Sequence, residues 1–319
     1  MRTREMDRLL AAAARLTPLQ RRELLQVLQA QPAAAQVLAT VESRLNGACA
    51  CPRCQGQRAV RNGHADGLQR YKCRSCGKSF NALSGTPLAR LRLKSKWLDQ
   101  ADVLCEGLSV RKAGEQLHVA PSTSFRWRHR FLALPREFKD SGLGGIVEAD
   151  ETYVLRSYKG QVRRLREQGR APRRRGGKAR TSGMSREHVP IVVVRNRSAQ
   201  TVDYVLDAAN KFNVTELLRG VVAADAVLCT DGSLLLASVA HRLGLQHEAL
   251  NVVGGQRVRG AWHIQNVNAY HSRLKDWMRR FKGVATSYLP NYTGWFRALD
   301  ANAKTGLKPT HLLALAVGA

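Results

Sequence analysis

Apolar and polar residues are arranged differently in the two halves of this chain. In the second half, short apolar runs predict five strands, at 146–150, 189–195, 201–206, 226–230 and 250–253. Apolar residues at helical spacing predict helices at about 213–223, 232–243 and 264–281. Three strands followed by alternating helices and strands are typical of an α/β domain with a mixed sheet, here over 144–300.

Both ends of the chain predict small helical segments. Residues 1–45 are expected to form two helices, because Leu9–Leu16 is apolar and Thr17 can cap a second helix. The simplest interpretation is a helical pair that packs on a neighbouring element. The tail, 301–319, contains one short apolar helix at Thr310–Val317.

Two further helical patterns lie within 90–138, at Ser109–Leu117 and Pro121–Trp127, and a short turn separates them. The arrangement resembles a helix-turn-helix. Gly114 stands where alanine is usual and His118 where glycine usually makes the turn, so a plain helical hairpin is the alternative. In a helix-turn-helix, the side chains expected to face DNA are Ser122, Thr123, Arg126 and Arg128.

Four of the seven cysteines form two C-x-x-C knuckles within 46–84, separated by residues 55–72. This spacing predicts a closed, tetrahedral zinc ribbon with a hairpin between the knuckles. The segment is too small to build an apolar core, so the metal is expected to supply its stability. Cys49 is a possible competing ligand, whereas Cys105 and Cys229 are expected to be buried packing residues. The predicted ligands are Cys51, Cys54, Cys73 and Cys76.

The formal net charge is +28, with 52 Lys and Arg against 24 Asp and Glu. This excess indicates a polyanionic partner, because binding nucleic acid releases condensed counterions. A membrane surface is the weaker alternative, since no basic amphipathic helix dominates. The N-terminus lacks a signal-peptide pattern and the cysteines are clustered, so a reducing, cytoplasmic location is expected.

Residues 156–188 interrupt the predicted sheet and are rich in Arg and Gly. A segment of this composition cannot bury a core. We interpret it as a mobile insertion that becomes ordered on a DNA backbone, with a merely solvated loop as the alternative. The central cations are Arg173, Arg174 and Arg175.

The candidate chemistry lies at the ends of the predicted strands and on the last long helix. Asp150 and Asp231 each end an apolar run, where a sheet can hold both carboxylates beside a phosphodiester. Two Mg²⁺ or Mn²⁺ ions on oxygen ligands can activate the nucleophile and neutralise the phosphoryl charge. Asn268 offers a third, uncharged oxygen. Lys275, two helical turns later, is placed to contact a phosphate.

Each residue also has an ordinary structural explanation. Asp231 can simply cap a helix, and Asn268 and Lys275 taken separately would be ordinary helix-surface residues. Glu148 and Glu151 flank Asp150, and one of them is a candidate auxiliary ligand. His263 by default caps or packs, although it lies close to the same pocket.

Taken together, these blocks resemble bacterial insertion-sequence transposases of the RNase H-like DDE class. They are most similar to the zinc-ribbon group with asparagine at the third acidic position, the DDNK variant. The resemblance spans roughly 48–300 and rests on Glu148–Val154, Thr230–Gly232, His263–Lys275 and the ribbon at Cys51–Phe80.

The resemblance implies that Asp150, Asp231 and Asn268 bind Mg²⁺ and that Lys275 accompanies them. It further implies cleavage and joining of double-stranded DNA at terminal inverted repeats and in target DNA. Assembly as a homo-oligomer on DNA and association with the nucleoid are expected, with no membrane partner. Because Asn268 removes one negative charge, a catalytically inactive DNA-binding protein derived from a transposase is the alternative. A sequence-specific endonuclease is a more distant one.

Overall fold

The computed structural model describes residues 33–45, 49–169, 185–252 and 254–319, together with isolated residues between 8 and 20 and between 171 and 179. The chain divides into two compact units, Met1–Asp99 with Ala319 and Gln100–Gly318. The two predicted N-terminal helices lie mostly outside the described residues.

The first unit contains the cysteine knuckles and a small antiparallel sheet. Helix α1 (Ala33–Ser43) precedes strands β1 (Ala59–Ala65), β2 (Leu68–Cys73) and β3 (Ser79–Phe80), which pair in that order. The predicted hairpin is therefore present as β1 and β2. Its turn uses Asp66 and Gly67, both at positive φ, as expected for the tight turns that join antiparallel strands.

Three helices open the second unit. Helix α2 (Trp97–Cys105) begins before the unit boundary, and α3 (Val110–Gln116) and α4 (Pro121–Phe131) follow it. Ser109 caps α3 by accepting a hydrogen bond from the Lys112 backbone, and Pro121 occupies the first turn of α4, as is common in helices.

A five-stranded mixed sheet forms the centre of the second unit. Strands β4 (Ile146–Leu155), β5 (His188–Asn196), β6 (Thr201–Val205), β7 (Val227–Thr230) and β8 (Gln246–Ala249) lie in the order β6-β5-β4-β7-β8. The β4–β5 and β5–β6 pairs are antiparallel, whereas β4–β7 and β7–β8 are parallel. The sheet confirms the mixed topology predicted from the order of strands and helices.

Helices cover both faces of this sheet. Helices α6 (Lys211–Arg219) and α7 (Leu234–Leu243) pack on one face, where the main apolar core includes Val147 and Ala149 of β4. Successive side chains of a strand point to opposite faces of the sheet, so the alternate residues of β4 face α8 (Gln265–Arg279) on the other side. These residues are Glu148, Asp150 and Thr152.

The remaining elements are α5 (Val162–Glu167), α9 (Leu289–Ala301), α10 (Pro309–Val317) and a short hairpin of β9 (Val258–Arg259) and β10 (Trp262–His263). Helix α10 confirms the helix predicted in the tail. No described helix is long and apolar enough to cross a membrane.

One predicted strand was misplaced. Residues 250–252 of the predicted run do not form a strand, residue 253 lies outside the described residues, and the fifth strand instead comprises Gln246–Ala249. After Leu250 donates to the Thr230 carbonyl, the Asn251 side chain accepts from Gly254 and turns the chain. Pairing with the parallel neighbour β7, rather than apolar content, therefore determines where this strand begins and ends.

Candidate active site

Asp150 and Asp231 lie on neighbouring central strands of the sheet. The strand predicted at 146–150 continues to Leu155, so Asp150 lies in its middle, whereas Asp231 directly follows β7. In the parallel β4–β7 pair, Val147 is the partner of Leu228 and Glu148 that of Cys229. Continuing this register places Asp231 beside Asp150, just past the last paired residues. Asp150 Oδ1 accepts from the Glu151 backbone at 2.8 Å, and Asp231 Oδ1 accepts from Ser233 at 2.9 Å. Each aspartate keeps its second oxygen for other partners.

Glu151 lies in the field of both aspartates. Burial raises its pKa to about 7, and the charges of Asp150 and Asp231 act in the same direction. Its Oε1 is buried and accepts no hydrogen bond from the described residues. Negative charge is therefore concentrated where β4 and β7 run side by side. Such a concentration around a carboxyl of raised pKa is a common feature of functional sites.

Glu148 has a different role, because its carboxylate holds the start of α8. It is fully buried and accepts from the Val267 backbone and from Asn266 Nδ2, each at 2.9 Å. It also pairs with the Arg197 guanidinium. Its oxygens are thus occupied by three donors, and Glu148 positions α8 against β4.

Arg197 extends this anchor to the hairpin that precedes α8. Its guanidinium donates to the Ala261 carbonyl at 3.0 Å and lies 2.9 Å from the His263 ring nitrogens. His263 Nδ1 is 3.5 Å from the Glu148 carboxylate. His263 therefore belongs to the Glu148–Arg197 anchor, in agreement with its default interpretation as a packing residue.

His271 is the α8 residue that reaches Asp150, with Nδ1 3.5 Å from Oδ2. Its ring is buried in the stripe of α8 that also contains Val267 and Leu274. His271 was not among the functional residues predicted from the sequence. A polar side chain at a core position of an amphipathic helix, one turn after Asn268, was the signal available for it.

Asn268 and Lys275 are both exposed, three residues before and four residues after His271. These intervals place both near the stripe that faces Asp150. The Asn268 side chain forms no hydrogen bond with the described residues. The structure thus sets His271 against Asp150, and it leaves the Asn268 amide and the Lys275 ammonium exposed on the same helix.

Hard divalent cations prefer carboxylate and carbonyl oxygens, and the oxygens of Asp150, Asp231 and Asn268 suit such ions. Within the described part of the chain, Asp150 and Asp231 do not form a set of three ligand atoms within 4.8 Å of one another with any other carboxylate or histidine, His271 included. Among the described residues, one set of three or more Cys, His, Asp or Glu ligand atoms lies within 4.8 Å of one another. That set is Cys51, Cys54, Cys73 and Cys76.

The cysteine cluster has the geometry of a closed site. Cys51 Sγ lies 3.7 Å from Cys76 Sγ, and Cys54 Sγ lies 3.6 Å from Cys73 Sγ. Backbone N–H groups of Cys76 and Ser75, opposed by burial, lower the Cys73 pKa to about 6. Four sulfurs so close together, one already disposed to ionise, can bind zinc.

The turn between α3 and α4 explains both departures noted in the sequence. A Cβ on Gly114 would lie 3.0 Å from the Val119 carbonyl oxygen, so even alanine would be tight there. His118 has φ +51° and adopts the left-handed conformation that glycine usually supplies. On α4, Ser122 and Arg126 are exposed and Thr123 is half-buried.

Arg128 was expected to face DNA, but the structure buries it. Its guanidinium donates to the Leu108 carbonyl at 2.6 Å and lies 5.1 Å from the Trp295 ring centroid. A carbonyl and aromatic rings from distant segments accommodate the cation, which helical phase alone does not reveal. The insertion residues Arg173, Arg174 and Arg175 lie outside the described residues.

The second unit is thus an α/β domain with two carboxylates on neighbouring central strands of a mixed sheet. Residues 142–297, which include that sheet and α8, match the family model of the ISXO2-like transposase domain. The chain is also 26% identical over 283 residues to a Halobacterium salinarum protein described as an uncharacterized protein in transposable element ISH50. The alignment covers 86% of this chain and 92% of that protein. The two similarities support a transposase.

Proposed function

We propose that this protein is the DNA transposase of an insertion sequence, with an RNase H-like catalytic domain of the DDNK type. It would bind the terminal inverted repeats and catalyse metal-dependent strand cleavage and strand transfer. The feature that favours catalysis most is the β4–β7 register, which sets Asp150 beside Asp231. The similarity of residues 142–297 to a transposase domain supports the same assignment.

Asp150 and Asp231 would hold Mg²⁺ or Mn²⁺, with the Asn268 amide oxygen as the third protein ligand. When bound, the divalent ions would neutralise phosphoryl charge and favour a deprotonated oxygen nucleophile. The exposed Asn268 side chain forms no hydrogen bond with the described residues, so its amide oxygen is free to accept a cation. The concentration of negative charge around Glu151 favours binding of a cation between β4 and β7.

The remaining residues would orient this centre. Lys275 would contact a DNA phosphate close to the ions, since its exposed ammonium lies two turns beyond Asn268. His271 would fix the Asp150 carboxylate from α8, and the Glu148–Arg197 anchor would fix α8 itself. The geometry of cleavage would then depend on how α8 packs against β4.

DNA recognition would involve regions outside this centre. We assign it to the zinc-bound ribbon, to α4 of a helix-turn-helix through Ser122, Thr123 and Arg126, and to the basic insertion. The excess of cations across the chain supports a polyanionic partner. Homo-oligomer formation on DNA and nucleoid association stay predictions.

A catalytically inactive DNA-binding protein is the second candidate. The uncharged Asn268 favours it, together with the lack of a third carboxylate at ligand distance from Asp150 and Asp231 among the described residues. The intact aspartate pair and its ordered surroundings favour the active enzyme.

A cleavage assay separates the two candidates. The full chain is incubated with an end-labelled duplex that carries the inverted repeat bracketing its gene, in Mg²⁺, in Mn²⁺ and in EDTA. A transposase cleaves at the repeat boundary in either metal and not in EDTA. Specific binding of the repeat with no cleavage in either metal would instead establish the inactive DNA-binding protein.

A further inference from the structure

A cavity of about 920 Å³ is lined by β4 from Thr152 onward, two residues beyond Asp150. It lies between the end of β4, the carboxyl half of α8 and the segment that follows β4. Its floor is aliphatic and includes Val154, Ile191, Leu274 and Met278. This volume lies at the upper end of the roughly 300–1,000 Å³ typical of sites for small organic ligands, so a nucleotide fits within it.

The rim of this cavity is strongly basic. Its described lining residues include five Lys or Arg and no Asp or Glu. Lys159, Lys275 and Lys282 are all exposed, and Lys159 donates to the neutral Gly283 carbonyl at 3.0 Å, which leaves its charge unbalanced. An apolar floor with a cationic rim complements a ligand that has a flat apolar body and a phosphate group.

Thr152 lies in the wall of the cavity. It is 3% exposed, and its Oγ1 is covered by protein atoms rather than open to the cavity. Thr152 follows Asp150 by two residues on the same face of β4, which places this wall of the cavity close to the proposed cleavage site.

We propose that the cavity receives one base unstacked from the DNA strand beside the cleaved phosphodiester. The base would rest on the aliphatic floor, and its phosphate would lie among Lys159, Lys275 and Lys282. This inference rests on the proposed function, because it takes the DNA strand to cross Asp150 and Lys275. Such extrusion is how proteins reach a base that a duplex conceals.

Binding to a bulged duplex tests the proposal without any cleavage. The full chain is titrated in EDTA with a duplex that carries one unpaired 2-aminopurine and with the fully paired duplex. Unstacking is already complete in the bulge, so wild type should bind it about tenfold more tightly. The bound 2-aminopurine should also be protected from acrylamide quenching.

One variant and a matched control locate the effect. Val162→Trp fills the mouth of the cavity from an exposed position on α5, and it should abolish both the preference and the protection. Val258→Trp, at a comparably exposed valine outside the cavity, should change neither.

Equal affinity of wild type for the two duplexes, or protection that survives Val162→Trp, would overturn the inference. Because the assay contains no divalent metal, its result is independent of cleavage. Normal cleavage without a bulge preference would reject the base site alone. A bulge preference without cleavage in Mg²⁺ would reject the proposed enzyme and leave the base site standing.

Discussion

The cysteine cluster of the first unit and the aspartate pair of the second are organised in opposite ways. In the cluster, four ligand atoms converge within 4.8 Å of one another, from two knuckles of a single small hairpin module. In the pair, two carboxylates come from separate strands, and the proposed third ligand, Asn268, is exposed on a helix. The first site is complete within the protein, whereas the second leaves positions for water and substrate.

This difference indicates what each metal would do. A closed site of thiolates stabilises a module whose apolar cluster is small, built around Phe80 and the cysteines themselves. An open site of oxygens performs chemistry in a domain that is already stable. The second unit has its own core between the sheet and helices α6 and α7. Removing metal should therefore unfold the first site and leave the second folded but inactive.

The largest expected effect is loss of the ribbon fold without zinc. Cys73→Ser should release the metal, which contributes on the order of 10–16 kcal/mol in isolated zinc modules. Hydrogen exchange over residues 49–80 and zinc content by elemental analysis measure the result. Cys49→Ser is the control and should retain about one zinc per chain. Equal zinc loss in both variants would contradict a site made of the four knuckle cysteines.

Next in size is the anchor that holds α8. Glu148→Ala would leave the Arg197 guanidinium and the Val267 N–H without their buried acceptor, at a cost of about 3–5 kcal/mol. Thermal unfolding in EDTA should show this loss in the second unit. Glu148→Gln should cost less, because an amide oxygen still accepts from Val267. Glu216→Ala, which removes an exposed ion pair, should change stability little; a similar loss there would rule out a specific anchor.

Arg128 and Arg126 should behave oppositely although they are neighbours on α4. Arg128→Ala should lower the free energy of unfolding by about 3 kcal/mol, because it removes charged hydrogen bonds in the interior. Arg126→Ala should leave stability unchanged and weaken DNA binding. Chemical denaturation and DNA titration of both variants measure the difference. Unchanged DNA affinity in Arg126→Ala would remove α4 from the proposed DNA surface.

The smallest expected effect concerns the basic insertion. Replacing Arg173, Arg174 and Arg175 by alanine should reduce the slope of log K against log salt by about 0.9 for each phosphate that these arginines neutralise. Titrations of a non-specific duplex at several salt concentrations give the slope. A slope equal to that of wild type would show that these arginines do not bind the DNA backbone.

The sequence predicted well those features that depend on local spacing. The two knuckles and their hairpin follow from residues close in the chain, and Asp231 directly follows a strand as predicted. Asp150 does not end its strand, because pairing with β5 extends β4 to Leu155. Features that depend on the docking of α8 were not predictable. His271 faces Asp150 and Glu148 accepts from Val267 only because α8 packs on that face of β4, which joins segments far apart in the chain. Arg128 was misassigned because Leu108 and Trp295, which are also far from it in the chain, bury its guanidinium.

Cleavage by variants of the aspartate pair tests the central proposal most directly. Asp150→Ala and Asp231→Ala are compared with Asp225→Ala, an exposed aspartate just before β7, on the labelled terminal-repeat duplex in Mg²⁺. The first two should lose cleavage while still binding DNA, and Asp225→Ala should cleave as wild type. Asn268→Ala should be severely impaired, Asn268→Asp should retain activity, and Lys275→Ala should lose less than either aspartate variant. Full cleavage by Asp150→Ala, or cleavage by wild type in EDTA, would contradict a catalytic metal centre at Asp150 and Asp231.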